Sequence, residues 1–552
     1  MSGGTLAVAV ACLLAGLARP RAGTAVPAES AGESIYLRGV LGSKAPLAGT
    51  RESGAVTAGA DAACVNCHQR SGLGTVEGRV SIPPVTADYL FHSRTQDASG
   101  HGLPYVESLH GNRDPYSEET LARAIRDGVD SEGRPLGYLM PRYALGDADM
   151  AALIDYLKQI SVRHVPGVTD SVLHFATIVT PDADPLKRRG MLDVLEQFFA
   201  QKNRAPLKPT PRMMTSGRTQ YSKSMYMANR RWQLHVWELT GPASSWRAQL
   251  QKRLKAEPVY AVLSGLAGST WTPVHEFCEQ NAVPCLFPNV EVPVIADRDF
   301  YSMYFSKGVL LEAELIARAI LGSDDHGAAG VEQVYRAGDS GEPAAKALAA
   351  QLRQHGIAVH STVLAAGARG RAVTSALRTA ARRKDGRGAA LVLWLRPGEI
   401  ASLGDVRPGA ATVYVSGLMG GLEKSPLPAE WREHSVMTYP FDLPDRRRVR
   451  LDYPLGWFSV RHIPVVAEQV QTDTYLACSL LADVLNRMAD NFVRPYLIEQ
   501  LQGLLEHRVI TGYYPRLTLA TNQRFASKGG YVVHFRDPGG TALVAQGDWI
   551  VP

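Results

Sequence analysis

The sequence lacks several features that would each have indicated a class of protein. Its 552 residues contain no internal repeat, no single-residue tract and no periodic glycine pattern, which excludes a fibrous or disordered protein. The 59 Lys and Arg residues outnumber the 53 Asp and Glu residues too slightly for a nucleic-acid-binding groove. After the first two dozen residues, no stretch reaches membrane-spanning length without a charge or a proline. We therefore expect about two to four folded domains and no nucleic-acid partner.

Common catalytic motifs are also absent. No glycine-rich dinucleotide fingerprint follows a predicted strand, no cluster of His, Cys or Glu has the spacing of a metal site, and no nucleophile elbow occurs. These absences argue against an enzyme without excluding one. They favour an electron carrier or a binding protein.

The first 25 residues have the pattern of a signal peptide. Leu6 to Leu17 is a dozen mostly apolar residues, too few for a bilayer about 30 Å thick, which needs about 20. Small residues at Gly23 and Ala25 suit cleavage after Ala25, although no Lys or Arg precedes the apolar run. We therefore expect residues 1–25 to be removed on export to the periplasm. Cys12 as a lipoprotein cysteine is a weaker alternative, because it lies inside the apolar run.

Cys64-Val65-Asn66-Cys67-His68 is the most specific motif in the chain. In a C-x-x-C-H segment, the two thiols can bond to the two vinyl groups of one haem while the adjacent His binds the iron. Export favours this interpretation, because haem is attached on the oxidising side of the membrane. A disulfide or half a zinc site is the alternative, but no second pair of zinc spacing lies close by. The motif occurs once, so we expect one covalent haem c and exclude a di-haem peroxidase.

The second axial ligand is predicted in the segment Leu139-Met140-Pro141-Arg142-Tyr143. The proline keeps Met140 out of a helix, and an amphipathic helix is predicted to follow from about Asp147 to Ile160. Met140 lies about 70 residues after His68, which suits a small haem domain. Packing alone also explains a Met in an apolar loop. The alternative ligands are His92, His101 and His110.

Residues 39–162 resemble a class I cytochrome c. The segment Tyr116 to Val129, followed by Met140 and a proline, is similar to the central helix and Met loop of bacterial members. The resemblance implies a small all-α domain around one haem. It also implies electron transfer between a periplasmic donor and acceptor protein, because an iron with both axial positions filled has no open site for substrate. The family's haem-binding roles fall on Cys64, Cys67, His68 and Met140.

From about residue 165, apolar runs of strand length alternate with amphipathic runs of helical period. This alternation predicts βαβ units and a parallel sheet, and about 380 residues favour two α/β lobes. A helix is expected around 474–488 and a last strand pair between about 517 and 535. The other predicted strands are 174–179, 259–263, 331–335, 391–395 and 412–415. Ligands bind beyond the carboxyl ends of such strands, so the candidate binding loops are 265–270, 337–341, 396–399 and 416–421.

Residues 170–552 resemble the type I periplasmic solute-binding proteins of the branched-chain amino acid and amide class. Residues 259–288 carry the resemblance with a strand, a small-residue loop, a helix and Ala-Val-Pro before the next strand, as do residues 334–359. It implies two lobes that close over a small molecule, with amides and hydroxyls at a helix start holding its anionic end. An inner-membrane ABC permease would then be a partner. The candidate ligand-binding residues are Gly268, Ser269, Thr270, Asn289, Ser340 and Arg396.

Two features leave the solute open. Residues 288–293 replace a small-residue loop of the family, which argues against an amino acid. Trp271, Trp394 and Arg396 would suit an aromatic or acidic solute, although packing explains them equally. Residues 268–270 are also explained as a cap of the following helix.

The remaining cysteines carry no motif. Cys278 and Cys285 are predicted at the end of a helix and the start of a strand, and an exported protein permits a disulfide between them if their Cα atoms lie within about 7 Å. Cys478 is predicted to be a buried thiol.

Three functions follow from these interpretations. The first is a periplasmic electron-transfer protein with one His/Met-ligated haem, fused to a solute-binding domain. The second is an ABC-transporter substrate-binding protein with an accessory cytochrome. The third is a haem-linked oxidoreductase, which the absent catalytic motifs disfavour.

Overall fold

The computed structural model describes residues 29–77, 80–92, 113–160, 165–204, 230–296, 299–323, 330–383, 389–409, 411–488, 491–505, 508–520 and 523–552. The predicted signal peptide at residues 1–25 and the alternative ligands His101 and His110 lie outside these ranges. No helix within them is long and apolar enough to span a membrane.

The small region, residues 29–160, combines helices with short strands. Its helices are α1 (Ala31–Arg38), α2 (Val65–His68), α3 (Ala87–Leu90), α4 (Glu118–Asp127) and α5 (Asp147–Gln159). Its strands are β1 (Ala48–Thr50), β2 (Val56–Ala58), β3 (Thr75–Glu77), β4 (Val80–Ile82) and β5 (Arg142–Tyr143). They pair antiparallel in the orders β2-β1-β5 and β3-β4. The all-α expectation is corrected here: turns bring extended segments side by side, and their backbone groups then pair.

The first and last helices of the small region cross closely. A Cβ at Gly32 in α1 would come within 2.0 Å of the Ala152 carbonyl oxygen in α5, so only glycine permits this approach. Ile35 and Tyr36 are fully buried in the same hydrophobic cluster as Leu153 of α5. Helix α1 therefore belongs to this core, although it precedes residue 39, where the domain was predicted to begin.

The first lobe of the large region, residues 165–552, contains a parallel five-stranded sheet of order β10-β9-β8-β6-β7. Its strands are β6 (Val172–Val179), β7 (Arg231–Glu238), β8 (Ala261–Leu263), β9 (Cys285–Leu286) and β10 (Ser302–Met303). The helices between them are α6 (Pro185–Asn203), α7 (Trp246–Ala256) and α8 (Thr272–Gln280).

The second lobe contains a seven-stranded sheet of order β12-β11-β13-β14-β15-β16-β17, with the last two strands antiparallel. Its strands are β11 (Val331–Arg336), β12 (Val359–Leu364), β13 (Ala390–Trp394), β14 (Thr412–Ser416), β15 (Ser435–Tyr439), β16 (Tyr531–Phe535) and β17 (Leu543–Ala545). Its helices are α9 (Val309–Leu321), α10 (Gly341–Gln354), α11 (Arg371–Arg383), α12 (Pro397–Ile400), α13 (Gly417–Gly420), α14 (Ala429–Arg432) and α15 (Pro444–Val460).

The chain returns to the first lobe with α16 (Glu468–Met488) and α17 (Arg494–Leu505), and α16 packs on both α6 and α17. After α17 the chain passes back to the second lobe. There it runs beside the segment around Tyr304 and Phe305, where the chain first leaves the first lobe. There the Tyr304 amide donates to the Arg524 carbonyl at 2.8 Å, and the Ser527 amide donates to the Phe305 carbonyl at 2.6 Å. The lobes are thus joined by paired segments.

Two α/β lobes are present, as the sequence predicts. Strands β6, β11, β13 and β14 match their predictions within two residues at each end, and β8 begins two residues late. The predicted position of the last strand pair was wrong. The pair consists of β16 and β17, which flank the turn Pro538-Gly539-Gly540, because glycines and proline favour a reversal there.

Candidate functional site

His68 is oriented by a bond to the backbone. The residue is 7% exposed, and its Nδ1 lies 2.9 Å from the Pro83 carbonyl oxygen. A carbonyl oxygen only accepts hydrogen bonds, so Nδ1 is assigned the proton and Nε2 keeps its lone pair. Burial lowers the pKa of His68, which also favours the neutral ring. The imidazole therefore presents Nε2 to a metal.

Cys64 and Cys67 lie on the same turn of chain as His68. The His68 amide donates to the Cys64 carbonyl at 2.9 Å, and both cysteines are partly exposed and not joined in a disulfide. Two thiols and a neutral imidazole on one turn are the donor set that covalent haem attachment requires. The residues present therefore fit a haem c.

Met140 lies in a loop that the rest of the small region holds in place. It is partly buried and packs against the hydrophobic cluster that Cys64 also contacts. Strand β5 follows directly, and the Tyr143 hydroxyl donates to the Ala62 carbonyl at 3.0 Å. This bond ties the Met140 loop to the chain just before the cysteines. His92, by contrast, has 69% of its side chain exposed and lies near Asp88.

The residues just after His68 contact the first lobe. The Ser71 amide donates to Glu499 Oε1 in α17 at 2.8 Å, and the Arg70 guanidinium lies 4.4 Å from the centre of the Phe300 ring. Leu73 is buried within the main hydrophobic cluster of the large region. We call this contact, residues 70–73 with Phe300 and Glu499, the seam. The seam joins the residues that follow His68 to the large region.

The predicted anion-binding residues contact an acidic side chain of the chain itself. The Ser269 hydroxyl donates to Asp182 Oδ2 at 2.5 Å, and the Gly268 amide lies 3.4 Å from Asp182 Oδ1. Burial acts to raise the pKa of Asp182, but hydrogen bonds from Ser269 and Thr180 hold it below its usual value. Thr270 Oγ1 accepts from the Thr272 amide at the start of α8. The Gly268 and Ser269 donors are thus used within the chain, and α8 begins after Trp271 without a hydrogen bond from a capping side chain.

Ser340 and Arg396 meet Glu291 from the opposite lobe. Arg396 donates to both Glu291 carboxylate oxygens at 2.9 and 2.6 Å, and the Ser340 hydroxyl donates at 2.8 Å. Arg396 also pairs with Asp339, and Lys187 lies 3.3 Å from Glu291. Burial acts to raise the pKa of Glu291, but Arg396, Lys187 and Ser340 lower it to about 2. We call this group of five residues the latch, because it links the lobes.

A cavity of about 520 Å³ lies between the lobes. Asn289 lines it and donates to the Ser264 hydroxyl at 2.8 Å. Of the other predicted ligand residues, Gly268, Ser269, Thr270, Ser340 and Arg396 are not in its wall. Trp271 and Trp394 are almost fully buried in the lobe cores. The cavity is therefore formed mainly by residues that the sequence did not indicate.

Four of these residues form one side of the cavity: Glu468, Asp473, Tyr513 and Tyr514. The two acids lie on α16, of which the sequence indicated only residues 474–488, and the tyrosines follow α17 on a loop. A Tyr-Tyr pair after a glycine was the only local signal. Nothing in the sequence connects it with a helix forty residues earlier.

Cys278 and Cys285 are fully buried beside each other and carry free thiols. Cys478 is also buried, as predicted, and burial raises its pKa.

The cytochrome c family model matches residues 56–161. The chain therefore contains a cytochrome c domain, as the sequence predicts, and such a domain implies haem c. No curated protein sequence matches the chain.

Solved structures similar to the chain include a possible leucine/isoleucine/valine-binding protein from Rhodopirellula baltica, which is 13% identical with a TM-score of 0.48 over 68% of this chain and 97% of that one. A leucine-binding protein from Thermotoga maritima is 14% identical with a TM-score of 0.48, over 69% and 99% of the two chains. A fatty acid ABC transporter substrate-binding protein from Thermomonospora curvata is 16% identical with a TM-score of 0.45, over 71% and 95%.

Proposed function

We propose that this protein is a periplasmic electron carrier in which one haem c is joined to a domain that binds a small solute. The observation that carries the proposal is the bond from His68 Nδ1 to Pro83, within a C-x-x-C-H turn. It leaves Nε2 for iron on the residue that the motif designates. We assign residues 39–162, with α1 before them, to the cytochrome c domain and residues 170–552 to the solute-binding domain.

Each residue of the haem site has a separate role. The Cys64 and Cys67 thiols would anchor the haem, and His68 Nε2 and Met140 Sδ would be the two protein ligands of its iron. The haem, when bound, supplies a one-electron iron couple. With Met140 as a ligand the iron would have no open position for substrate or oxygen, so the chain would exchange electrons with a donor and an acceptor protein instead of turning over a substrate.

A haem assay tests the proposal that the small region carries one covalent haem c. The exported protein, denatured in alkaline pyridine, should give the spectrum of one c-type haem per chain, and a reductive titration should take up one electron. Absence of haem, or a spectrum of non-covalent haem, would contradict the proposal.

The proposal that the large region binds a solute rests on the cavity between the lobes. Its wall includes residues of both lobes and of the segments that join them, so a bound molecule contacts both lobes at once and favours their closed arrangement. The cavity volume is in the range of small-molecule sites. Mass spectrometry of the protein purified without dialysis should find one small molecule per chain, released on unfolding. A protein that carries none, and whose melting temperature no small molecule raises, would count against solute binding.

Delivery of the solute to an inner-membrane ABC permease is the alternative role of the large region. The seam favours an action on the cytochrome instead, because Ser71, three residues after His68, is bonded to the first lobe. Linkage then requires that a solute which shifts the haem potential is itself bound more or less tightly according to the haem oxidation state.

A further inference from the structure

We propose that the cavity between the lobes takes an organic cation, an amine that carries no carboxylate. This inference rests on the proposed solute-binding function and names the class of ligand.

Asp473 gives the most direct indication. Its residue is 5% exposed, and it lies in the cavity wall. Oδ2 accepts from the Tyr514 hydroxyl at 3.2 Å, whereas Oδ1 has no hydrogen-bond partner. Buried carboxylate oxygens are normally paired. Burial raises the pKa of Asp473 to about 7, against hydrogen bonds from Tyr514 and Gln469. A cationic donor in the cavity would keep this carboxyl ionised.

Glu468 adds a second acid to the same wall. It accepts from the Tyr513 hydroxyl at 2.5 Å. Among the described residues, no Lys or Arg forms an ion pair with Glu468 or Asp473. Two carboxylates without a cation, on adjacent turns of α16, favour a positively charged ligand.

The other charges around the cavity are already balanced or lie at its edge. Glu423 pairs with Arg447 at 2.5 Å, and Glu291 and Lys187 belong to the latch. Lys424 is exposed. The acids of the wall that form no ion pair in the described part of the chain are therefore Glu468 and Asp473, both on α16.

Aromatic rings stand beside these acids. Phe441 packs against Tyr513 and Tyr514, with ring centres 5.2 and 5.6 Å apart, and Phe305 lies 5.4 Å from Tyr514. All four line the cavity. The chain's own Arg447 guanidinium already lies 4.3 Å from the centre of the Tyr513 ring. Aromatic faces attract cations, and the other rings give the apolar part of an amine a surface to pack on.

Donors that could hold an anion are used within the chain, and Gly268 and Ser269 lie outside the cavity wall. The donors at Gly268 and Ser269 contact Asp182. The amides of Val466 and Ala467, just before α16, donate to the Gln471 side chain at 2.9 Å each. A ligand carboxylate would lack these donors and would face two acids. An amine without a carboxylate avoids this repulsion, whereas an amino acid does not.

Four probes that share one phenyl ring test the assignment: phenethylamine, 2-phenylethanol, phenylalanine and 3-phenylpropionate. Titration calorimetry of the full-length haem protein should show phenethylamine binding at least tenfold more tightly than each of the others. Asp473→Asn should weaken phenethylamine at least tenfold, and Glu468→Gln should weaken it about threefold. Asp452→Asn, the same change at an exposed position of α15, should have no effect. Each variant is checked for an unchanged haem spectrum and melting temperature.

The possible outcomes distinguish a failure of the cation assignment from a failure of the proposed solute-binding function. Preferred binding of phenylalanine or 3-phenylpropionate would overturn the cation assignment and leave solute binding in place. Equal binding of the amine and the alcohol, insensitive to both variants, would do the same. Binding of none of the four would count against the cavity as a solute site and so against both.

Discussion

The small and large regions place their chemistry in opposite ways. In the small region, Cys64, Cys67 and His68 are neighbours in sequence, and only Met140 comes from elsewhere. In the large region, the cavity takes residues from stretches between 187 and 514 that the topology brings together. A contiguous motif shows its chemistry in its spacing. An assembled cavity shows it only after folding.

The largest expected effect follows from removing the contiguous motif. Cys64→Ala/Cys67→Ala should abolish covalent haem, because no other described cysteine lies on the turn with His68. Intact-protein mass spectrometry measures the loss. Cys478→Ala, a buried thiol in the large region, should keep full haem content. If the double variant retained covalent haem, the assignment of haem attachment to the contiguous motif would be wrong.

The crossing of α1 and α5 tests whether the small region depends on its own packing as well as on its motif. Gly32→Ala places a Cβ against a backbone oxygen and should destabilise the small region by about 2–3 kcal/mol. Heating while following the haem absorbance measures this change. Gly503→Ala is the matched control, since its Cβ meets no atom within 4 Å in α17, and it should stabilise by up to about 1 kcal/mol. Equal effects would contradict the close crossing.

The latch tests whether the large region depends on groups from both lobes. Arg396→Ala should remove a charge-assisted bond of about 2 kcal/mol, roughly 30-fold in the balance between closed and open lobes. Small-angle X-ray scattering should then show a larger radius of gyration. Arg353→Ala, at an exposed position of α10, should leave it unchanged.

The same bond has a defined pH dependence. In the folded protein the pKa of Glu291 is about 2, below its ordinary 4.5. The stabilisation of the closed lobes by its bond to Arg396 is therefore complete above about pH 4.5 and is lost as the pH falls towards 2. Scattering that stays constant over this range in the wild type would contradict the latch.

The seam gives the smallest expected effect and tests the separation of the two regions. Burial raises the pKa of Glu499 to about 7, against the hydrogen bond from Ser71. Stability should therefore be greatest below about pH 4.5 and decrease as the pH rises to about 7. The full pKa shift of Glu499 corresponds to a change of about 3 kcal/mol in the free energy of unfolding. The partial exposure of Glu499 reduces this change to about 1–2 kcal/mol.

Glu499→Gln should flatten this decrease, as measured by the melting temperature from pH 4 to 8. Glu276→Gln, at an exposed position of α8, should not. Parallel pH profiles for the wild type and Glu499→Gln would mean that the seam does not couple the regions.

The sequence predicted what depends on local pattern and missed what depends on pairing at a distance. Strands β6, β13 and β14 are mostly apolar runs and were placed within two residues, as was β11 despite its Glu332 and Gln333. The short strands β1, β2 and β5 were missed because each has only two or three residues, too few for a period. Asp182 was missed for another reason: nothing local shows that its carboxylate turns back onto Gly268 and Ser269.

His68 and Met140 are proposed to be the two protein ligands of one covalently held haem iron. The optical spectrum of the oxidised protein, beside that of Met140→Ala, tests this assignment most directly. A low-spin spectrum with the weak far-red Met-to-iron band is expected in the wild type, and the variant should lose this band while its haem content stays unchanged. A high-spin wild-type spectrum, or a band that survives Met140→Ala, would contradict it.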